Sequence, residues 1–106
     1  MEELNYTLCS VPMLYSRNRS AEYQERIVLK LTVLLDFLKK NNLIFVEPFR
    51  SDGSLDLDLI LRKNDAKPEC VELFRKVIPS WLSYLDKGGD ISNIKRLSEG
   101  LKKITR

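Results

Sequence analysis

The sequence predicts a small α+β domain with three main helices and a sheet of two or three short strands. Apolar residues recur at spacings of three and four in three segments, which is typical of amphipathic helices. Leucine alternates with mostly polar residues over 55–62, which is typical of a half-buried strand. The chain has 106 residues, so we expect a single globular domain over 1–106.

The clearest helix is predicted over 21–41. Ser20 is a favourable N-cap, and Glu22 lies in the first turn, where a negative charge complements the helix dipole. Asn41 and Asn42 follow the last turn and are suited to a left-handed C-terminal cap. The apolar stripe of this helix consists of Tyr23, Ile27, Leu31, Leu34, Leu35 and Leu38.

A second helix is predicted over 68–87. Pro68 at the first helical position and Glu69 behind it form a start signal. Pro79 lies inside the segment and removes one backbone donor, so we expect a kink there. The pair Gly88-Gly89 ends the helix.

A third helix follows, with Asp90 or Ser92 as its N-cap and its end near Lys103. Its apolar stripe begins at Ile91 and continues at helical spacing. The remaining members of the stripe are Ile94, Leu97, Leu101 and Ile104.

Two or three segments are predicted to be strands. Residues 4–10 are rich in strand formers, and Pro12 indicates an edge position or a turn, followed by a polar loop over 16–19. Residues 43–49 fit either a buried strand or an extended connection. Residues 55–62 fit a strand, or one or two helical turns because leucine is only an average strand former. In the strand, the core-facing residues are Leu55, Leu57, Leu59 and Leu61.

The composition favours a small binding module over an enzyme. The chain has no histidine, which removes the commonest general base and a common metal ligand. Its two cysteines, Cys9 and Cys70, are too few for a zinc site and are interpreted as packing residues. No glycine-rich phosphate loop or nucleophile motif is present. We therefore predict no catalytic residue, no metal and no cofactor.

The start of the chain favours the cytoplasm. It begins with Met1-Glu2-Glu3, an acidic start that is not followed by the apolar core of a signal peptide. No apolar run reaches the roughly 18 residues of a membrane span. We therefore expect a cytoplasmic protein with reduced thiols and no membrane partner.

Acidic residues supply the first candidate binding site. Asp56 and Asp58 would project from one face of the predicted strand, with Asp52 before it and Asp65 after it. A solvated face that discourages edge pairing is the simpler interpretation. If this face binds a partner, a basic protein surface is favoured by charge. Tyrosine and arginine are enriched at protein interfaces. Three further candidates for contact with a partner therefore lie in the first loop, namely Tyr15, Arg17 and Arg19.

The last helix supplies an alternative. The net charge is only +3, but residues 91–106 carry five Lys and Arg against Glu99. Such a helix can follow a phosphate backbone, but basic residues are also expected at a helix C-terminus, so the favoured interpretation has a protein domain and no nucleic acid as the partner. The alternative function is therefore a small nucleic-acid-binding or regulatory protein that uses Lys95, Arg96, Lys102, Lys103 and Arg106.

Four stretches are more specific than composition. They are FLKKNNL at 37–43, DAKPECVELF at 65–74, WLSYLDKGGD at 81–90 and LSEGL at 97–101. Together they resemble the immunity proteins of bacterial contact-dependent growth inhibition and other polymorphic toxin systems, over residues 34–104. The match departs from the family pattern at two positions. The family has glycine before leucine where this chain has Asn42, and it has another glycine where this chain has Cys70.

The resemblance implies a cytosolic immunity protein. Such a protein binds one cognate toxin domain, in many cases a nuclease, and blocks its active site or substrate surface without performing chemistry. The matching residues are caps, a helix start and a core tryptophan, so they carry the fold more than the contacts. The toxin-interface candidates therefore rest on charge alone, and they are Asp52, Asp56, Asp58, Asp65, Arg17 and Arg19.

Overall fold

The structure, a computed structural model, describes residues 5–105. It is an α+β fold, as predicted, with one two-stranded antiparallel sheet and five helices in the described part of the chain. The prediction of three helices is therefore wrong. The elements in chain order are β1 (Thr7–Ser10), α1 (Val11–Ser16), α2 (Ala21–Lys40), β2 (Ile60–Arg62), a 3-10 turn (Lys63–Asp65), α3 (Pro68–Lys76), α4 (Ile78–Asp86) and α5 (Lys95–Ile104).

The sheet is shorter than predicted. β1 lies inside the predicted strand over 4–10, whose first residue is outside the described part. β1 pairs with β2 through Cys9 with Leu61 and Ser10 with Ile60, and a bulge precedes Cys9. Residues 43–49 form an extended connection that is held by isolated bridges at Ile44 and Phe49.

The predicted strand over 55–62 is only partly formed. Its second half is β2, but Asp56 accepts a hydrogen bond from the Asp58 N–H at 2.9 Å and closes a local turn. A side chain that bonds its own backbone competes with the sheet, which explains the late start of the strand. The alternation of burial still holds in large part, since Leu55, Leu59 and Leu61 are buried.

The short helix α1 is absent from the prediction. Ser10 is its N-cap, because the Ser10 side chain accepts a hydrogen bond from the Met13 N–H at 3.3 Å. Pro12 lies in the first turn, where its missing N–H would have no helical partner. The proline that indicated a break therefore starts a helix instead. α2 matches its predicted range closely, and Asn42 adopts the expected left-handed conformation with φ 56°.

The predicted second helix is two helices. α3 ends at Lys76, and α4 begins at Ile78 with Pro79 in its first turn. A continuous helix would need the Pro79 N–H to bond the carbonyl of Arg75, and proline has no such group. The expected kink is therefore a full break at Val77.

The third helix starts later than predicted, at Lys95. The Asp90 carboxylate accepts hydrogen bonds from the backbone N–H and the hydroxyl of Ser92, at 2.9 and 2.7 Å. This local pairing makes a turn instead of capping a helix. The turn also brings the Asn93 carbonyl within 3.2 Å of the Trp81 indole N–H, which fixes the chain before α5.

The core lies between α2, the inner face of the sheet and the three C-terminal helices. Trp81 is fully buried at its centre, and Cys9 and Leu61 enter it from the sheet. The outer face of the sheet is left to solvent. No helix within residues 5–105 combines the length and the hydrophobicity that membrane crossing requires.

Candidate protein-binding surface

Exposed apolar residues lie on the sheet and on the helix that follows β1. Ile60 is 40% exposed and lies opposite Ser10 in the strand pairing. Met13, in α1, is 60% exposed, and its N–H donates to the Ser10 hydroxyl, so the backbones of Met13 and Ile60 both adjoin Ser10. Large apolar residues exposed in one region of a surface are typical of interaction sites. We call this region the sheet surface; its residues are Ser10, Met13, Arg17, Asp56, Asp58 and Ile60.

The acidic part of the sheet surface lies in the turn before β2. The Leu59 N–H donates to the Asp56 carbonyl at 3.2 Å, and the Leu59 carbonyl accepts from the Val11 N–H at 3.0 Å. These bonds tie the turn to the start of α1. Asp58 is exposed and Asp56 is partly exposed. Neither carboxylate forms an ion pair with another described residue, so both charges are open to a partner.

Arg17 belongs to the same region. It directly follows α1 and lies four residues after Met13, so the two share a helix face. Arg19 lies further along the exposed loop that leads to α2. Neither arginine forms an ion pair within residues 5–105.

Asp52 lies on a different element. It is part of a small hairpin closed by the bridge between Phe49 and Leu55. The hydroxyl and the N–H of Ser54 donate to its carboxylate at 2.6 and 2.9 Å. These hydrogen bonds hold the pKa of Asp52 below its usual value. Asp52 is therefore separated from the pair Asp56 and Asp58 by the length of a hairpin arm.

The hairpin forms one wall of a groove of about 620 Å³ along α2. Lys39 on α2 donates to both oxygens of Glu47, at 2.8 and 3.0 Å, and lies 5.7 Å from the centre of the Phe49 ring. The bond from Lys39, together with the Phe49 N–H, lowers the pKa of Glu47. Lys39 and Glu47 neutralise each other in this groove, and Asp36 pairs with Lys40, so it is a weaker candidate than the sheet surface.

Asp65 serves the backbone. Its carboxylate accepts the Arg62 N–H at 3.0 Å and caps the 3-10 turn after β2. Its carbonyl accepts the Phe45 N–H at 2.8 Å, beside an aromatic side chain that is 67% exposed. The prediction that Asp56 and Asp58 project from one strand face is wrong, since both precede β2. Of the six candidates, Asp56, Asp58 and Arg17 lie in the sheet surface.

Both thiols are buried in the core. Burial raises the pKa of Cys9 to about 11. Burial, the neighbouring Cys9 and Glu69 raise the pKa of Cys70 to about 12. Both side chains therefore remain protonated at neutral pH and act in packing. No cluster of three or more metal-ligating side chains lies within residues 5–105.

Sequence reasoning missed Met13 and Ile60. The signal for Met13 was present, because a serine followed two residues later by proline is a helix start. Ile60 could not be found in the same way. The leucine alternation places Ile60 on the solvent side of the strand, but it does not show whether the other residues on that side are polar. Only the pairing with β1 brings these two residues to one place.

Neither a protein-family model, nor a curated protein, nor a solved structure matches the chain.

Proposed function

We propose that this chain is an immunity protein that binds one cognate toxin domain through the sheet surface. The observation that carries the proposal is the exposed pair Met13 and Ile60 beside the unpaired carboxylates of Asp56 and Asp58. Protein interfaces are anchored by a few buried apolar side chains that polar and charged groups surround. The resemblance of residues 34–104 to immunity proteins supports the same function.

A nuclease is the toxin class that fits the charge of this surface. A nuclease carries a positive surface because it must bind phosphate backbones. The carboxylates of Asp56 and Asp58 complement such a surface and speed association. Bound there, the protein blocks the active site or the substrate path of the toxin and needs no chemistry of its own.

The other candidates take lesser parts in this proposal. Arg17 flanks Met13 and contacts an acidic group of the toxin. Asp52, Asp65 and Arg19 lie away from the apolar pair and contribute long-range charge only. The compartment that follows from this function is the cytoplasm, where a toxin delivered by a neighbouring cell acts.

The first experiment is capture of the partner from the native host with the tagged protein, followed by mass spectrometry. We expect one stoichiometric partner, the C-terminal domain of a large secreted protein. Expression of that domain should stop growth, and co-expression of this chain should restore it. Recovery of such a domain without protection from growth arrest would contradict the proposal.

The surface is then tested by affinity. The variant Asp56→Asn/Asp58→Lys keeps an oxygen acceptor for the turn while it removes the negative charges. We expect its Kd for the captured domain to rise at least about thirtyfold, the effect of an interface hot spot. The variant Met13→Gln/Ile60→Thr should weaken binding by a similar factor.

The matched control is Glu22→Gln/Glu99→Lys, which makes the same charge change at exposed helix positions. We expect its Kd to stay within about threefold of the wild type, since distant charges act mainly on the association rate. Equal losses in the control and the test variant would remove the sheet surface from the interface.

A further inference from the structure

The positive charge of the chain is concentrated at its C-terminal end. Residues 75–106 hold eight Lys and Arg against three Asp and Glu, whereas residues 1–74 hold ten against twelve. Three helices, α3, α4 and α5, pack together in this part of the chain. The fold therefore gathers the positive charge on one side of the molecule.

Two shallow depressions adjoin on this side. One, of about 360 Å³, lies between Lys76 at the end of α3 and Lys103 on α5. The other, of about 410 Å³, lies between Lys87 and Gly89 after α4. Ser80 and Arg96 line both. We call the joined depressions the basic groove.

Arg96 is held in place at the centre of the basic groove. Its guanidinium lies 5.0 Å from the centre of the Tyr84 ring, and it donates to the Ser80 hydroxyl at 3.3 Å. The Tyr84 hydroxyl in turn accepts from the N–H of Asp90 at 3.1 Å and from the Asn93 amide at 3.3 Å. An arginine fixed in this way loses little conformational entropy when it binds a second group.

Most cations around the groove form no ion pair with a described residue. Within residues 5–105 no ion pair involves Lys87, Arg96 or Lys103. Lys76 shares the carboxylate of Glu72 with Arg75. Glu99 is the acidic residue in the lining of the groove. Positive charge therefore exceeds negative charge, and most of it is available.

We infer that the basic groove binds the phosphate backbone of a nucleic-acid duplex. The groove offers the cations Lys87, Arg96 and Lys103 and the hydroxyls of Ser80 and Ser83, which are the donors that contact phosphates in nucleic-acid complexes. Phosphate contacts need no apolar anchor and carry no sequence information. This site is independent of the proposed toxin-binding surface.

An acidic protein is the less suitable occupant. A protein interface needs an exposed apolar anchor. The exposed large hydrophobic residues of the described chain all fall between Tyr6 and Ile60, outside the groove. Val77 and Ile104 line one of the depressions but are only partly exposed, so the groove has the charge of an interaction site without a fully exposed apolar anchor.

A single strand is also less suitable than a duplex. Single strands bind by stacking bases on open aromatic rings. The Tyr84 ring is occupied by Arg96, and it packs so closely on Gly89 that a Cβ there would lie 2.5 Å from the ring. Trp81 is fully buried. The contacts that remain are those to the backbone.

The test is fluorescence anisotropy with a short labelled DNA duplex and an RNA duplex of the same sequence, at several salt concentrations. We expect Kd to rise steeply with salt, with a log–log slope of about 3 for three phosphate contacts. The variant Lys87→Ala/Arg96→Ala/Lys103→Ala should bind at least about tenfold more weakly. Its slope should fall by about 2 to 3.

A second variant controls for a folding defect in the triple variant. Lys87→Ala/Lys103→Ala leaves Arg96 on its ring and should still lower the slope by about 2. The matched control Arg19→Ala/Arg26→Ala/Arg50→Ala removes the same charge at exposed positions elsewhere and should change Kd by less than about threefold.

Three results would overturn the inference. The first is wild-type protein that binds neither duplex even at low salt. The second is an equal loss in the control and in the triple variant, which would mean that net charge alone is responsible. The third is a polyglutamate peptide that binds the wild type more tightly than the triple variant, while neither duplex shows such a difference. This result would assign the groove to an acidic protein.

Discussion

The sheet surface and the basic groove differ in how their charges are held. Asp56 is bound to the N–H of its own turn, so this carboxylate is part of the fold. Lys87 and Lys103 make no side-chain hydrogen bond or ion pair with a described residue. Loss of the Asp56 acceptor therefore alters structure and binding together, unless asparagine keeps the oxygen, whereas the groove lysines can be removed with little cost to the fold. This difference determines which variants are informative in each region.

The two regions also differ in what supports them. The sheet surface rests on a pair of short strands and one turn of helix, which strand pairing and two backbone bonds hold in register. The basic groove rests on Trp81, which is fully buried and donates to the carbonyl before α5. We therefore expect the groove to depend on core packing more than the sheet surface does.

The largest effect should come from Trp81→Ala. Removing a fully buried tryptophan typically costs about 3–5 kcal/mol, because a cavity remains and the indole hydrogen bond is lost. Urea unfolding followed by circular dichroism measures the change. Trp81→Phe is the control, since it keeps most of the volume and should cost less. A loss below about 1 kcal/mol for Trp81→Ala would show that the groove does not rest on this residue.

Gly100→Ala should have a smaller effect and is specific to the groove. A Cβ at Gly100 would lie 2.5 Å from a methyl carbon of Val77, so α5 must move away from the break between α3 and α4. Overpacking of this kind costs about 1–3 kcal/mol, and the better helix propensity of alanine returns about 1 kcal/mol. Urea unfolding should therefore show a net loss of up to about 2 kcal/mol.

A second substitution tests the cause of the loss at Gly100. Val77→Ala removes the two methyl carbons that lie nearest to the added Cβ. The double variant Gly100→Ala/Val77→Ala should be more stable than the sum of the single effects predicts. Simple additivity would locate the cost elsewhere, and the groove would then not depend on this close contact.

The sequence predicted the elements that one local signal determines. The range of α2 followed from its apolar stripe and its end at Asn42, and the start of α3 followed from Pro68. It failed where two local signals compete. Pro12 indicates an edge position or a turn, but it lies in the first turn of α1. Asp90 is a candidate N-cap, but it closes a turn instead of capping a helix.

The candidate site was predictable only in part. Asp56 and Asp58 could be found by charge, but their turn could not be distinguished from a strand because the leucine alternation fits both. Met13 and Ile60 come together through a pairing across some fifty residues of chain, which no local pattern encodes. Long-range contacts of this kind are the part of a fold that single-sequence reasoning does not reach.

The ion pair between Lys30 and Asp86 joins α2 to α4, the helix that carries Ser80 and Tyr84 of the basic groove. The distance between Nζ and Oδ1 is 2.7 Å, and the Lys30 side chain is only 11% exposed. Asp86→Asn should cost about 1 kcal/mol, because it leaves a poorly hydrated ammonium without its counter-charge. A double-mutant cycle with Lys30→Met should give a coupling of about 0.5–1 kcal/mol. A coupling of zero would show that the packing of α4 against α2 does not depend on this pair.

The smallest effect concerns the acid titration of Glu47, which lies in the groove along α2. The bond from Lys39 lowers the pKa of Glu47 in the folded state. A lowered pKa means that the stabilisation is present above the usual pKa of glutamate and is lost as the pH falls through the folded value. Glu47→Gln should therefore be less stable than the wild type at neutral pH, and the two urea midpoints should converge once the pH has fallen through the lowered pKa of Glu47. The control Glu99→Gln makes the same substitution at a carboxylate that has no ion pair in the described chain, and it measures the effect of the substitution without the loss of such a pair. If the Glu47→Gln difference persisted at low pH, Glu47 would stabilise the groove along α2 through packing instead of through its charge.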